Sequence, residues 1–256
     1  MAQYQTHLVA FVDLLGFREA LRDSNREDAI LSLLRRLAAF QGDFFAESHK
    51  VENGHQSRLR PAVSTFSDNI VLSYPLEGLA QHALSIDIVI LFLQNLVAYI
   101  AWNAFQSRLL IRGGIAIGNL YHEGGVVFGP ALVEAYEIER SVAIYPRVAL
   151  GPSVTQSGEF DKWKSHTWYH DDGVAVLGYM MGFVMRTEPA GNRFNPMIKT
   201  WLADVRQTID AEIAYLSSTK NVKAKMKWSW FNNSLETNVA RMNPAILESD
   251  TPLEHH

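Results

Sequence analysis

Cysteine is absent from this chain, which excludes disulfide frameworks and thiolate metal sites and leads us to expect a reducing, cytoplasmic setting. No lysine-rich tract marks a duplex-binding surface, and the formal net charge is -4, so no nucleic-acid partner is expected. Uninterrupted apolar runs of membrane-spanning length are missing as well. The longest candidate, Leu84 to Phe105, contains Asp87, Gln94, Asn95 and Asn103, so it reads as a buried helix, with no direct membrane insertion. Met1 to Thr6 is polar and lacks the apolar centre of a secretory leader. Leu253 to His256 (LEHH) reads as the remnant of a purification tag and is set aside.

What is present suffices for a substantial core, since 48% of the 256 residues are hydrophobic and 20% charged. Two short segments organise it. In His7 to Phe17 (HLVAFVDLLGF), residues 7–12 read as a buried strand that Asp13 interrupts, after which Gly16 permits a tight approach of backbone to ligand. In Pro61 to Tyr74 (PAVSTFSDNIVLSY), strands at 62–66 and 69–73 flank the turn Ser67-Asp68, which makes a hairpin tipped by an acid. Two carboxylates brought into one site repel each other unless cations neutralise them, and hard divalent ions suit oxygen ligands. The plain alternative is that Asp13 is a helix N-cap and Asp68 an ordinary turn residue.

The remaining pattern predicts helices over 17–40 with a break at Asp23-Ser24-Asn25, where Ser24 or Asn25 caps the next helix. A polar loop follows at 47–57, and after the hairpin a long helix runs from Gly78 to Phe105. The next strand, 108–117, turns at Gly118-Asn119, and 120–128 returns beside it with a loop at Glu123-Gly124-Gly125. The pair Gly113-Gly114 allows either close contact with a neighbouring backbone or a ligand approach. A helix at 131–142 follows Pro130, and Arg147 to Leu150 forms one more strand. This order predicts an α+β fold, a ferredoxin-like core whose mainly antiparallel sheet is covered by helices packed on one face. Residues 151–252 form a helical C-terminal extension, with helices at 196–217 and 222–236 and a turn at Asp171-Asp172-Gly173.

Three segments, FVDLLGF at 11–17, FSDNIVLS at 66–73 and RGGIAIGNLYHEGGVVFGPALVEAYEIE at 112–139, occur in the order and approximate spacing found in the class III nucleotide cyclases. Residues 7–150 resemble that family's catalytic core. The resemblance implies that Asp13 and Asp68, with the carbonyl of Leu14, hold two divalent ions, Mn²⁺ or Mg²⁺. It implies that Gly16 and Phe17 offer N–H groups to a nucleoside triphosphate, with Phe11 and Leu15 beside it. It also implies a homodimer with its sites at the interface.

The chain departs from the family where purines are read. Thr65 and Val126 stand where base-reading polar groups would be, and Val133 and Glu137 replace the family's Asn and Arg pair. Arg112, Arg140 and Arg147 are then the candidates for stabilising transition-state charge. Without purine readers, the chain looks like the bacterial pyrimidine cyclases of anti-phage signalling. Those convert UTP or CTP into a cyclic nucleotide read by a separate effector protein, and UTP is favoured here. Palm-type polymerases and diguanylate cyclases share a similar sheet, although the G-G-D/E-E-F run of the latter is missing. A catalytically inactive nucleotide-binding module is the reading from another class.

Overall fold

The structure, a computed structural model, describes residues 3–39, 61–77, 79, 85–158, 160, 168–180 and 196–242. The chain divides into two compact units, Met1–Tyr179 and Met180–His256. The expected loop at 47–57 lies outside the described residues.

The first unit is built on strand β1 (Gln5–Leu15), which is apolar on both faces because both are covered. It pairs antiparallel with β3 (Asn69–Pro75) on one edge and with β4 (Leu110–Glu123) on the other. Asp13 therefore does not interrupt the strand. It stays in register, opposite Asn69 on β3 and Arg112 on β4. Helix α1 (Phe17–Ala20) is a single turn, followed by a 3-10 turn (Ser24–Arg26) and α2 (Glu27–Ala39). The cap at that break is Asp23, whose side chain accepts from the Asn25 N–H at 3.0 Å, and neither Ser24 nor Asn25 takes the role.

Strand β2 (Ala62–Phe66) and β3 form the expected hairpin, with Ser67 in the left-handed region at φ 56°. Helix α3 (Ile86–Gln106) begins later than the periodicity suggested, and the expected start at Gly78 lies outside the described residues. Among the described residues it is the one helix long and apolar enough to cross a membrane, and 67% of its most apolar stretch is buried inside the protein. A core helix looks like this. The turn expected at Gly118-Asn119 is absent, because β4 continues to Glu123 and turns at Gly124-Gly125 into β5 (Val126–Phe128). Helix α4 (Pro130–Ser141), β6 (Val148–Leu150), α5 (Pro152–Thr155), β7 (Trp168–Asp171) and β8 (Val174–Leu177) complete the unit. The Asp171-Asp172-Gly173 turn closes the β7–β8 hairpin, whose strands the sequence pattern did not announce.

The sheet runs β2-β3-β1-β4-β6-β8-β7, with β5 attached to β4. Its first four strands, in strand-helix-hairpin-helix-strand order, have the ferredoxin-like arrangement, and only β4–β6 is parallel among the pairs described. The fold is thus α+β with a mainly antiparallel sheet.

Helices do not keep to one face. Val9, Phe11, Val71 and Ala116 point towards α4, where Ala131 and Ala135 meet them. Leu8, Ala10, Val12 and Leu14 alternate to the opposite face and are buried there too. Close packing of α4 depends on Gly114, the residue opposite Phe11 on β4. A Cβ there would overlap the carbonyl oxygen of Ala135 and lie 2.9 Å from the Glu139 nitrogen, so the close-contact reading of the glycine pair is the one realised.

The described residues of the second unit form two helices, α6 (Pro196–Ser218) and α7 (Val222–Met242), the latter longer than the expected 222–236. Lys220 at φ 56° ends the first, and the Asn221 side chain accepts from the Ala224 N–H at 3.2 Å to cap the second. Arg206 and Glu236 join the two by a pair of 2.7 Å hydrogen bonds.

Gly114→Ala tests the packing of α4. Because the obstacle is backbone, we expect a loss of about 2 kcal/mol or more, read as a lower urea midpoint. An unchanged midpoint would mean that α4 does not rest on the strand.

Candidate active site

The site lies at the C-terminal end of β1, on the face that α4 covers. One cross-sheet row contains Phe66, Asn69, Asp13 and Arg112, in the strand order β2, β3, β1, β4. Paired residues project to the same face, so Asp13 and Arg112 emerge side by side. The Leu14 N–H donates to the Asp68 carbonyl at 2.9 Å, which fastens the β2–β3 turn to the end of β1. The two aspartates, separated by fifty-odd residues of chain, thus come from adjacent backbone. In a strand a residue's N–H and C=O point to the same edge, so the Leu14 carbonyl faces the Asp68 side as well.

Arg112 bridges two acids. Its Nε donates to Asp13 Oδ2 at 3.0 Å, and a terminal nitrogen stands 2.6 Å from Glu139 Oε1 on α4. The Glu139 side chain is only 4% exposed, a depth at which a carboxylate requires a cationic partner. Asp13, at 15%, keeps some contact with solvent. Asp68 is half-buried, and its Oδ1 accepts from the Asn69 amide at 3.2 Å.

Two carboxylates and a carbonyl are hard oxygen donors, so they suit Mg²⁺ or Mn²⁺. Among the described residues no group of three or more His, Asp or Glu is placed to hold a metal ion, and the expected donor set falls below that number. A His-x-x-x-His spacing does occur, at His166 and His170. It gives no helical ligand pair, because His170 lies in strand β7 and His166 is outside the described residues.

Not every candidate reaches this row. Gly16 has φ +89°, a conformation that favours glycine, and it is exposed at the head of α1, whereas Phe17 is buried. Phe11 is half-buried one row further in and meets the Tyr136 ring edge-on at 5.4 Å, while Leu15 is buried. Thr65 pairs with Ile70, which pairs with Val12, so it faces away from Asp13. Its neighbour Ser64, opposite Val71 and hence in the Phe11 row, lies with Phe66 on the acid face. Val126 stands exposed opposite Glu123 near the end of the β4–β5 hairpin. Val133 and Glu137 lie on the exposed side of α4.

The three candidate arginines separate clearly. Arg112 is at the acids. Arg140 is exposed in the last turn of α4, where the helix dipole favours a cation. Arg147 is buried, and it donates to Asp171 Oδ2 at 2.9 Å, the Asp171 carbonyl at 3.3 Å and the Val142 carbonyl at 3.0 Å. It ties the β7–β8 hairpin to the end of α4.

Sequence reasoning passed over a second polar group on this face. His122, near the end of β4, reaches over β1 to the hydroxyls of Ser64 (2.9 Å) and Ser73 (2.8 Å), one at each ring nitrogen. Burial lowers its pKa from 6.5 to about 4, and the neighbouring His7 adds to the lowering. The chain matches no protein-family model and no curated protein.

The folded state thus holds His122 neutral, whereas the unfolded chain takes up a proton below pH 6.5. Stability from this group is complete above that pH and is lost as pH falls towards about 4. We expect the urea midpoint to decline across this window and the decline to flatten in His122→Gln. Equal slopes for the two proteins would contradict it.

Proposed function

We propose that this chain is a nucleotide cyclase. It converts a pyrimidine triphosphate, UTP in preference to CTP, into the 3′,5′-cyclic monophosphate and pyrophosphate. The observation that carries the reading is the joining of Asp13 and Asp68 at one end of a ferredoxin-like sheet, through the Asp13–Asn69 register and the Leu14–Asp68 hydrogen bond. Bound there, two Mg²⁺ or Mn²⁺ ions would lower the pKa of the ribose 3′-hydroxyl and neutralise the phosphates. In the reaction the 3′-hydroxyl gives up its proton to water, a bond forms between the 3′-oxygen and the α-phosphorus, and the bond from that phosphorus to the β-bridging oxygen breaks, releasing pyrophosphate.

The chain's own residues do the rest. Asp13, Asp68 and the Leu14 carbonyl would hold these ions. Arg112 holds Asp13 while no nucleotide is bound, and its guanidinium turns to the transferring phosphate when one is. Glu139 keeps it within reach. On the acid face, Ser64 takes the place expected of Thr65 and meets the base edge, with His122 orienting its hydroxyl. UTP and CTP differ at the group on C4, a carbonyl against an amine, and in the N3 proton; a hydroxyl can donate or accept, so the sense in which His122 holds the Ser64 hydroxyl decides which base it prefers. Exposed Val126, Phe128, Val133 and Tyr136 on β5 and α4 are the apolar surface that a second copy would cover in the homodimer. The product serves as a messenger read by a separate effector in anti-phage defence.

A second reading is favoured by the ion pair itself. With Asp13 already neutralised by Arg112, the chain would bind a nucleotide without turning it over.

Product analysis by mass spectrometry, with the four NTPs in equal amount and Mn²⁺ present, separates the two. The reading expects cyclic UMP, none from Asp13→Asn or Asp68→Asn at unchanged thermal stability, and a fall of about a hundredfold from Arg112→Ala. Nucleotide binding with no cyclic product would establish the second reading, and full turnover by Asp68→Asn would refute the two-ion site.

A further inference from the structure

The α6–α7 helical pair carries a feature unrelated to the site above. The chain does hold one lysine-rich stretch, contrary to the expectation from its overall charge: from Ile213 to Leu235 the sequence has four lysines, Lys220, Lys223, Lys225 and Lys227, and neither aspartate nor glutamate. This stretch of +4 belongs to a protein whose formal net charge is -4. Three of the lysines sit at the start of α7 or in its first turn and a half, where the helix dipole disfavours cations, so helix stability does not explain them. Interleaved with them are apolar side chains left in solvent: Tyr215 at 53%, Val222 at 65% and Met226 at 53% exposure. Lys220, Lys223 and Lys225 are exposed around the same turn.

We propose that this turn, residues 215–227, is a docking surface for an anionic phospholipid membrane. Charge complementarity and the interleaved apolar groups together favour that occupant. Lysine is a flexible point charge that suits a diffuse anionic surface, and there is no arginine here to grip single phosphates in a bidentate way. Val222 and Met226 can enter the boundary between headgroups and acyl chains, while the lysine stems extend past them to the phosphates. Nucleic acid would call for aromatic faces to stack on its bases, and among the three exposed apolar residues only Tyr215 has one. The contact is peripheral: the turn rests on the membrane surface.

The test is co-sedimentation of the full chain with vesicles of phosphatidylcholine alone or with phosphatidylserine added. Binding is expected only with phosphatidylserine, and it should weaken as salt rises. Lys220→Glu/Lys223→Glu/Lys225→Glu should reduce partitioning roughly a hundredfold, and Val222→Ser/Met226→Ser should reduce it while leaving salt dependence intact. Circular dichroism establishes that both variants retain their helices. Equal binding to both vesicle types, or undiminished binding by the lysine variant, overturns the proposal. So does failure to bind vesicles alongside tight binding of a single-stranded oligonucleotide, which would assign the surface to nucleic acid.

Discussion

The double pairing of β1 governs this molecule. A strand bonded to β3 on one edge and to β4 on the other cannot slip by a residue without turning every side chain to the wrong face, and both of its faces are apolar and covered. Register is therefore fixed by burial of Leu8 to Leu14, and the polar row at the strand's end inherits that precision. Asp13 meets Arg112 and Asn69 because Val9 meets Ala116 and Ser73.

Electrostatics then constrains what the row can do. Glu139 is buried and Asp13 partly so, and each carboxylate leaves water at a cost that one shared guanidinium offsets. Such an arrangement needs no further ion for its stability and keeps a guanidinium beside both acids. Elsewhere on the same face, the Ser64–His122–Ser73 group meets the same requirement with neutral partners, since Ser73 is wholly buried and needs a hydrogen bond.

Much of this was legible in the residues. The β2–β3 hairpin was evident from a two-residue turn between β-branched runs, and its bounds at 62–66 were met. Helices α3, α4 and α6 declared themselves by length and by Pro130. What misled was local punctuation. Gly118-Asn119 reads as a turn, but pairing with β1 holds those residues in the strand, and the chain turns at Gly124-Gly125 instead. Asp13 reads as a strand breaker for the same reason, because a lone sequence does not reveal that an arginine 99 positions later will face it. Glu139 was available: Ala131, Ala135 and Ile138 mark the buried side of α4, and the same spacing turns residue 139 inward. Thr65, expected beside the acids, faces away from Asp13 while Ser64 faces with it, because in a strand one position is the opposite face.

Gly114 connects packing to charge. Its missing side chain sets the height of α4 above the sheet, and the helix atoms resting on it include the backbone nitrogen of Glu139 itself. Helix height thereby determines how firmly Glu139 competes with Asp13 for the guanidinium two residues away along β4. A purely steric variable, the volume of one residue that carries no charge, is in this way a control on how one cation is divided between two acids, and variation there would retune both without altering either.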